Sequence, residues 1–297
     1  MSRLVDFLNL NDVEYKENLA IKELSPIRIG GTAFVVIYPD SANKLISVVD
    51  FLEEEQIRYR VLGKMSNLLF PDGKIDTVII KTDRLKGLSR EGNTLTLGAG
   101  EMISAHAVSL AKRGFSGFLG LAGIPGSIGG MLRGNAGAFG DEIGDIVRFA
   151  EVYSPKEKRI IEIDKSDMEF DYRKSIFQRA DYIILSVTLE LEHTPPDKAL
   201  KILRENREKR IRTQPTDLPS LGSVFKRPEG DYAGRLIDMA GLKGYRIGGA
   251  MVSGKHAGFI VNISHATSRD VRLLIEHIKQ TVTNKFGVEL QEEIEIL

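Results

Sequence analysis

The stretch GFLGLAGIPGSIGGMLRGNAGAFGDEIG, at positions 117–144, constrains this chain more than any other part of it. It is dominated by glycine, has almost no charge before its end and carries Pro125 near its middle. Glycine inside a helix or strand costs roughly 0.5–1 kcal/mol relative to alanine, so glycine is a poor choice for a packed core. The stretch is therefore either a loose linker or a place where a large ligand must approach the backbone closely.

Composition excludes several classes of function. A length of 297 residues predicts two or three domains, and the 41 basic residues balance the 41 acidic ones without forming a basic stripe, which disfavours nucleic-acid binding. The chain has no cysteine, and its five histidines never stand four residues apart, so we expect no metal site and no disulfide. The N-terminus lacks the apolar run of a signal peptide, and no window approaches the roughly 18–20 apolar residues of a membrane span. A cytoplasmic location is expected.

Strand and helix patterns interleave without strict alternation, which predicts an α+β fold and disfavours a doubly wound nucleotide fold. Ser41 is the expected N-cap of the first long helix, and the Pro-Pro break near residue 195 is the expected domain boundary. The predicted strands are 33–39, 58–63, 76–82, 93–100, 181–193 and 288–297, with a hairpin over 146–163 that turns at 155–158. The predicted helices are 41–57, 103–114, 194–213, 231–241 and 268–287.

Three glycine-bearing segments are candidate ligand loops: RIGGTA at 28–33, LGKMSNLLF at 62–70, and the long stretch. Glycine exposes backbone N–H groups, and consecutive N–H groups form concavities that bind anions. IPGSIGG could therefore hold a diphosphate, with the Ser127 hydroxyl as a further donor; simple tight turns are the competing interpretation. The two strongest nucleotide motifs, GxGxxG after a strand and GxxxxGK[ST], are absent.

Five motifs occur together in one order: GIPGSIGG…GNAGAFG, FDYRKSIF, GSVFKRP, AGRLIDMAGLKG and VSGKHAGFIVN. With them the chain, from about residue 25 to its end, resembles the UDP-N-acetylenolpyruvoylglucosamine reductase (MurB) family, in its shorter type. The resemblance implies a two-part FAD-binding domain of the vanillyl-alcohol-oxidase (PCMH) type, followed by a smaller α+β substrate-binding domain. We expect the FAD-binding domain at 1–195, with subdomains of about 1–82 and 83–195, and the substrate-binding domain at 196–297.

The resemblance also implies non-covalent FAD as cofactor, with bare backbone of the glycine stretch against its diphosphate and ring. In the second loop the chain departs from the family, which usually has paired glycines where this sequence has Lys64 and Met65. Either the backbone there tolerates side chains, or the contact to the cofactor is weaker; Lys64 could supply charge to the diphosphate or be a solvated lysine. The expected FAD-binding residues are Arg28, Gly30, Gly31, Gly63, Ser66, Asn67, Leu68, Gly123, Ile124, Pro125, Gly126, Ser127, Gly129, Gly130, Asn135, Ala136 and Gly137.

Three residues are candidates for catalysis by resemblance: Arg173, Ser223 and Glu293. From the residues alone, each also has a non-catalytic interpretation. Arg173 would be a surface charge, Ser223 a serine in a turn, and Glu293 a residue on the solvent-facing side of the final strand. In that strand the alternation of apolar and polar residues makes Glu292 the unusual one, because it falls on the apolar face, whereas the family motif favours Glu293. The expected substrate-binding residues are Tyr172, Lys226, Arg227, Lys255 and His256.

The implied reaction is the reduction of UDP-N-acetylglucosamine enolpyruvate to UDP-N-acetylmuramate for peptidoglycan synthesis and cell-wall growth, with NADPH as co-substrate and no obligate protein partner. Hydride passes from NADPH to FAD and then to C3 of the enolpyruvyl group. Ser223 protonates C2, with Lys226 as a possible helper. Arg173 presents a fork that matches a carboxylate, and with Glu293 it stabilises the charge that develops there.

Two other functions stay open from the sequence. An oxygen-using alcohol oxidase of the same fold is disfavoured because such enzymes often attach flavin through cysteine or histidine, and neither occurs in the quoted flavin loops. A flavin- or nucleotide-sugar-binding sensor without turnover is disfavoured because Arg173, Ser223 and Glu293 are all present.

Overall fold

The computed structural model describes residues 2–297, and over that range the chain forms eight α-helices and twenty strands. The helices are α1 (Ser2–Leu10), α2 (Ala42–Glu54), α3 (Ile103–Lys112), α4 (Ile128–Arg133), α5 (Ile143–Ile146), α6 (Pro196–Thr213), α7 (Ala233–Met239) and α8 (Ser268–Phe286). The strands are β1 (Glu14–Ala20), β2 (Thr32–Tyr38), β3 (Tyr59–Leu62), β4 (Leu68–Leu69), β5 (Lys74–Ile75), β6 (Val78–Lys81), β7 (Leu88–Glu91), β8 (Thr94–Gly98), β9 (Phe115–Ser116), β10 (Gly137–Ala138), β11 (Asp141–Glu142), β12 (Val147–Ser154), β13 (Arg159–Asp164), β14 (Ile183–Glu190), β15 (Glu192–His193), β16 (Ser220–Ser223), β17 (Arg246–Ile247), β18 (Ala250–Val252), β19 (Phe259–Asn262) and β20 (Glu295–Ile296).

The chain divides into two compact units. Unit 1 comprises Met1–Glu17, Val35–Lys64 and Thr77–Arg207, and unit 2 comprises Asn18–Phe34, Met65–Asp76 and Glu208–Leu297. The first part of α6 belongs to unit 1, and Ala199 of this helix is fully buried in the core of that unit. The functional division at residue 195 stays a prediction.

Unit 1 is built on an antiparallel sheet in the order β13-β12-β14-β8-β7. Helix α4 packs against β8 and β14, and the core that they enclose contains Leu97, Ile128 and Val187, each fully buried. Parallel pairing joins β3 to β6 and the end of β2 to β6, so the unit also holds a short parallel sheet. All four residues of β6 are buried, including Lys81 at its end.

Unit 2 is built on the antiparallel sheet β16-β19-β18-β17, with α7 and α8 packed together and α8 lying against β17 and β18. The long helix α8 begins at a capping box in which Thr267 and Asp270 satisfy each other's backbone N–H groups, and it ends at Gly287 in the left-handed conformation (φ 69°). Its buried stripe, including Val271, Leu274 and Ile278, faces the core of unit 2. Burial of one such side chain contributes about 1.5–3 kcal/mol.

Most of the predicted elements are present. Ser41 caps α2, its side chain accepting from the N–H of Lys44, and the hairpin of β12 and β13 turns at 155–158 as predicted. The prediction of a single strand over 288–297 is wrong. Only Glu295–Ile296 is a strand, paired with β4, because the segment changes partner: the N–H of Glu293 donates to Val224, whereas that of Glu295 donates to Asn67.

Candidate active site

Part of the glycine stretch folds into a short helix, α4, and the residues that precede this helix are ordered. The Ser127 hydroxyl caps this helix by accepting from the N–H of Gly130 at 3.4 Å. The N–H of Gly129 donates to the carbonyl of Ala99 at 3.0 Å, which attaches α4 to the segment after β8. The stretch is therefore a fixed part of unit 1, and the loose-linker interpretation is wrong.

The glycines of this stretch are needed for different reasons. A Cβ on Gly129 would stand 3.1 Å from the Cβ of Ala99, so this glycine serves the packing of α4. A Cβ on Gly137 would crowd strand β11, which pairs with it. Gly130 is exposed, and a Cβ there would meet only Ser127 Oγ, at an ordinary 3.4 Å. Gly130 is thus the one of these three whose missing side chain leaves a face open to a ligand.

The second predicted flavin loop begins at Gly63, where it touches the glycine stretch. A Cβ on Gly63 would collide with Ser127 Oγ, so the two segments approach closely only because residue 63 has no side chain. At the next position, the ammonium of Lys64 lies 2.6 Å from a carboxylate oxygen of Asp83. Lys64 is therefore half of an ion pair, on a side chain that is still 36% exposed.

Met65 stands where the family usually has glycine. Its φ is 55°, in the left-handed region that favours glycine, and its side chain is only 4% exposed. The conformation costs about 1–2 kcal/mol for a residue with a Cβ. Burial of the methionine side chain offsets that cost with about 1.5–3 kcal/mol. The backbone of this loop thus accommodates a side chain without losing its turn.

The first predicted flavin loop, residues 28–33, is fixed within unit 2. A Cβ on Gly31 would collide with the carbonyl of Gly73, and the N–H of Gly31 donates to Pro71 at 2.7 Å. Arg28 is exposed and has a left-handed φ of 57°. The Asn262 side-chain amide donates to the carbonyl of Ile27 at 2.9 Å. Asn262, the last residue of the FIVN motif, was not among the predicted site residues, and no sequence signal connects it with a loop 235 positions away.

Arg173 contacts the glycine stretch directly. Its guanidinium donates to the carbonyls of Asn135 at 3.3 Å and Gly137 at 3.2 Å, and it lies 5.2 Å from the ring of Tyr172. Asn135 is 2% exposed, and its side-chain amide makes two hydrogen bonds: it donates to the carboxylate of Glu142 and accepts from the N–H of Gly144. A predicted catalytic arginine and several predicted flavin residues therefore form one hydrogen-bonded group in unit 1.

Ser223 and Glu293 are brought together in unit 2. The N–H of Glu293 donates to the carbonyl of Val224 at 2.7 Å, and the N–H of Lys226 donates to the carbonyl of Gln291 at 2.8 Å. These bonds place the end of β16 against the C-terminal segment, 70 positions away in the sequence. Asn67 joins the same group, because its side-chain amide donates to the carbonyl of Glu293 at 2.9 Å.

Glu292 has a different partner from its neighbour. Its carboxylate accepts from the ammonium of Lys279, on α8, at 2.8 Å. Burial is the largest single effect and would raise the pKa of Glu292, but the hydrogen bond from Lys279, a backbone hydrogen bond and the positive charge of Lys279 together leave this pKa below its ordinary value. The unusual glutamate of the sequence pattern is therefore explained by an ion pair to a helix.

His256 lies in the turn between β18 and β19. Its Nδ1 accepts from the N–H of Gly258 at 3.1 Å, so Nε2 carries the proton of the neutral ring, and burial lowers the pKa of this histidine. A Cβ on Gly234 would come within 3.1 Å of the ring, so that glycine of α7 makes room for the imidazole. The neighbouring Lys255 is exposed.

The remaining predicted residues are distributed over both units. Arg227 is exposed and its guanidinium lies 4.6 Å from the ring centre of Tyr232. Unit 1 contains Gly63, Gly123, Ile124, Pro125, Gly126, Ser127, Gly129, Gly130, Asn135, Ala136, Gly137, Tyr172 and Arg173. Unit 2 contains Arg28, Gly30, Gly31, Ser66, Asn67, Leu68, Ser223, Lys226, Arg227, Lys255, His256 and Glu293.

The residues of unit 1 fit a flavin cofactor. Backbone without a side chain is exposed at Gly130, and the absence of a Cβ there lets a large cofactor approach the start of α4 closely. Among residues 2–297 no group of three or more histidine, cysteine, aspartate or glutamate side chains is arranged to hold a metal ion. Within the same range, no helix has both the length and the apolar character that crossing a membrane requires.

Two family models match the chain. Residues 33–163 match the model described as FAD binding domain, and residues 214–297 match that described as UDP-N-acetylenolpyruvoylglucosamine reductase, C-terminal domain. The predictions of FAD as cofactor and of an FAD domain followed by a C-terminal domain of this family are confirmed.

Relatives extend the likeness to nearly the full chain. The UDP-N-acetylenolpyruvoylglucosamine reductase of Caldicellulosiruptor saccharolyticus is 39% identical over 292 residues, which cover 96% of this chain and 93% of that protein. The crystal structure of UDP-N-acetylenolpyruvylglucosamine reductase (MurB) from Thermus caldophilus is similar with a TM-score of 0.81 and 31% identity, covering 96% of this chain and 98% of the other.

A more distant likeness concerns the fold alone. Xylooligosaccharide oxidase from Myceliophthora thermophila C1, in complex with xylobiose, matches with a TM-score of 0.50 and 16% identity, covering 65% of this chain and 43% of the other. The predicted relation to the vanillyl-alcohol-oxidase type of flavin fold agrees with this match. On the identity and coverage of its relatives, the chain belongs to the UDP-N-acetylenolpyruvoylglucosamine reductase family of FAD-dependent oxidoreductases.

Proposed function

We propose that this chain catalyses the NADPH-dependent, FAD-mediated reduction of UDP-N-acetylglucosamine enolpyruvate to UDP-N-acetylmuramate. The observation that carries the proposal is the backbone hydrogen bond from Glu293 to Val224, which brings the chain segment of Ser223, the proposed proton donor, against the sequence-distant segment of Glu293. The names of the relatives support the same substrate and product class. Residues 1–195 would bind FAD and residues 196–297 the UDP-sugar.

FAD, when bound, would supply the redox chemistry of the reaction, the transfer of a hydride equivalent from NADPH to C3 of the enolpyruvyl group. In unit 1, the exposed backbone of Gly130, at the start of the helix that Ser127 caps, would lie against the cofactor. No cysteine is available for a covalent attachment. Binding is therefore non-covalent.

Ser223 delivers the proton that completes the reduction. A hydride added to C3 and a proton added to C2 convert the carbon–carbon double bond to a single bond and leave the ether intact. The serine hydroxyl gives its proton to C2 and is reprotonated from solvent. Lys226, three residues further on and half-buried, favours this transfer by its positive charge.

Arg173 and Glu293 stabilise the negative charge that develops on the substrate carboxylate between the two transfers. Hydrogen bonds to the carbonyls of Asn135 and Gly137 orient the guanidinium, so this group loses little conformational entropy when substrate binds. The cationic residues Lys226, Arg227 and Lys255, together with Tyr172 and His256, bind the UDP-sugar.

Anaerobic titration of the purified protein tests the proposal. The visible band of oxidised flavin should bleach on addition of NADPH and return on addition of the enol ether, with UDP-N-acetylmuramate as product. A protein that purifies without flavin and takes none up would contradict the cofactor assignment. Reoxidation by oxygen but not by the enol ether would indicate an oxidase instead.

A further inference from the structure

Lys81 is a buried charge that the proposed mechanism does not use. It ends the buried strand β6, and its side chain is 3% exposed. Burying an ammonium group is costly unless the charge is paired and hydrogen-bonded. Burial lowers the pKa of Lys81, and the nearby Asp83 carboxylate opposes that effect. The desolvation penalty of this buried ammonium group calls for a structural explanation.

The contacts of Lys81 supply that reason. Its ammonium donates to the backbone carbonyl of Gly63 and lies 3.0 Å from a carboxylate oxygen of Asp83. The other oxygen of Asp83 lies 2.6 Å from the ammonium of Lys64. Lys64, Lys81 and Asp83 thus form a cluster with two positive charges and one negative charge, all within unit 1.

Gly63 is the point at which this cluster meets the proposed cofactor site. A Cβ on Gly63 would collide with the hydroxyl of Ser127, which in turn caps α4 and accepts from Gly130. A shift of the Gly63 peptide would therefore disturb both the start of the second flavin loop and the cap of the first turn of α4. The Lys81 ammonium holds that peptide by its carbonyl.

We propose that Lys81 is a positioning residue for FAD: it fixes the peptide of Gly63 and, through Ser127, the bare backbone at Gly130 that receives the cofactor. The inference rests on the proposed location of the FAD site. Lys81 itself is too deeply buried to touch the cofactor, so it acts through Gly63. Its partner Asp83 keeps the ammonium charged and aimed at the carbonyl.

The test is the affinity of the apoprotein for FAD, measured by quenching of flavin fluorescence. Lys81→Met removes the ammonium and keeps the length of the side chain, while Asp83 retains Lys64 as an ion-pair partner. Because a hydrogen bond to a charged group typically contributes ~1.5–3 kcal/mol, we expect the Kd for FAD to rise at least about tenfold. The matched control is Lys44→Met, which removes an equal charge of unit 1 that likewise donates to a backbone carbonyl, that of Asp12, and pairs with a carboxylate, but lies outside the predicted flavin loops; its Kd should rise less than about threefold.

A rescue experiment separates positioning from a general loss of stability. Lys81→Ala lacks the four non-hydrogen atoms that propylammonium contains, so this cation should restore much of the lost affinity for FAD in that variant and leave the affinity of Lys44→Met unchanged. Circular dichroism and thermal unfolding of each apoprotein show whether it is folded. If Lys81→Met does not fold, Lys81→Gln is used with the same expectation.

Each outcome decides a different point. An unchanged Kd in folded Lys81→Met, or equal losses in Lys81→Met and Lys44→Met, would overturn the positioning role; equal losses would assign the effect to net charge. Failure of both Lys81→Met and Lys81→Gln to fold would also overturn it, in favour of a purely structural lysine. Failure of the wild-type apoprotein to bind FAD would instead remove the proposed cofactor site itself.

Discussion

The backbone N–H of Glu293 donates to the carbonyl of Val224 at 2.7 Å, which places the carboxyl-bearing residue next to the end of strand β16 and Ser223. Because Glu292 is paired with Lys279 on α8, two adjacent glutamates have separate environments. The second and third predictions below use this difference between the two glutamates.

Ser223→Ala should separate the two half-reactions. The proposed task of Ser223 is to protonate C2 after hydride has reached C3, so reduction of the flavin by NADPH should stay near the wild-type rate. Reoxidation of the flavin by the enol ether should slow by about 10²–10⁴-fold, the usual contribution of general acid catalysis. Stopped-flow absorbance resolves the two phases. Equal slowing of both would make Ser223 a binding or folding residue.

Glu293→Gln should show the same asymmetry, because negative charge develops on the substrate only in the second half-reaction. Glu292→Gln should affect both phases mildly, since that carboxylate serves an ion pair to α8. The same stopped-flow measurement compares the two variants. A severe defect confined to Glu292→Gln would transfer the catalytic role to the other glutamate.

The pair of Glu292 and Lys279 should make stability depend on acid pH. The folded-state pKa of Glu292 is lowered, so its contribution is present above the unfolded pKa of about 4.3 and is lost as pH falls through the folded value. Both side chains are about a third exposed, so the contribution is at most ~0.5–1 kcal/mol. Urea unfolding should show Glu292→Gln less stable than wild type at neutral pH and equal to it near pH ~3. A difference that persists at low pH would exclude the ion pair as its cause.

Gly130→Val and Gly129→Val should have different effects. A side chain at Gly130 meets open space apart from Ser127 Oγ, so this variant should fold with a similar melting temperature and bind FAD weakly. A side chain at Gly129 presses on Ala99, so that variant should lose stability, typically by 1–3 kcal/mol for an overpacked site. Thermal unfolding of the apoprotein and its FAD content give the comparison. Full flavin occupancy in folded Gly130→Val would show that this face does not receive the cofactor.

Flavin should leave the polypeptide on acid precipitation. The chain contains no cysteine, and the proposed flavin loops contain no histidine through which FAD could be attached. The yellow colour should therefore appear in the supernatant, where its absorbance is measured. Flavin that stays with the precipitate after washing would contradict non-covalent binding.

The sequence by itself determined the elements with strong local signals. The Ser41 cap, the hairpin of β12 and β13, and the amphipathic helix ending at Gly287 were predicted because each depends on residues close together in the chain. Motif order also determined the family and the cofactor. These signals come from residues that are close in the chain or from motifs shared with a family. Reading them requires no knowledge of which distant segments contact each other.

Only the tertiary structure decided what each site residue touches. Alternation predicted a single final strand, but its hydrogen bonds are shared between Val224 and Asn67, which no periodicity encodes. The same holds for what a side chain added at each glycine would meet: at Gly129 it would meet Ala99, at Gly63 it would meet Ser127, and at Gly130 it would meet open space apart from Ser127 Oγ. The physical reason is that a missing side chain looks identical in a sequence whether its space is filled by the protein's own atoms or left for a ligand.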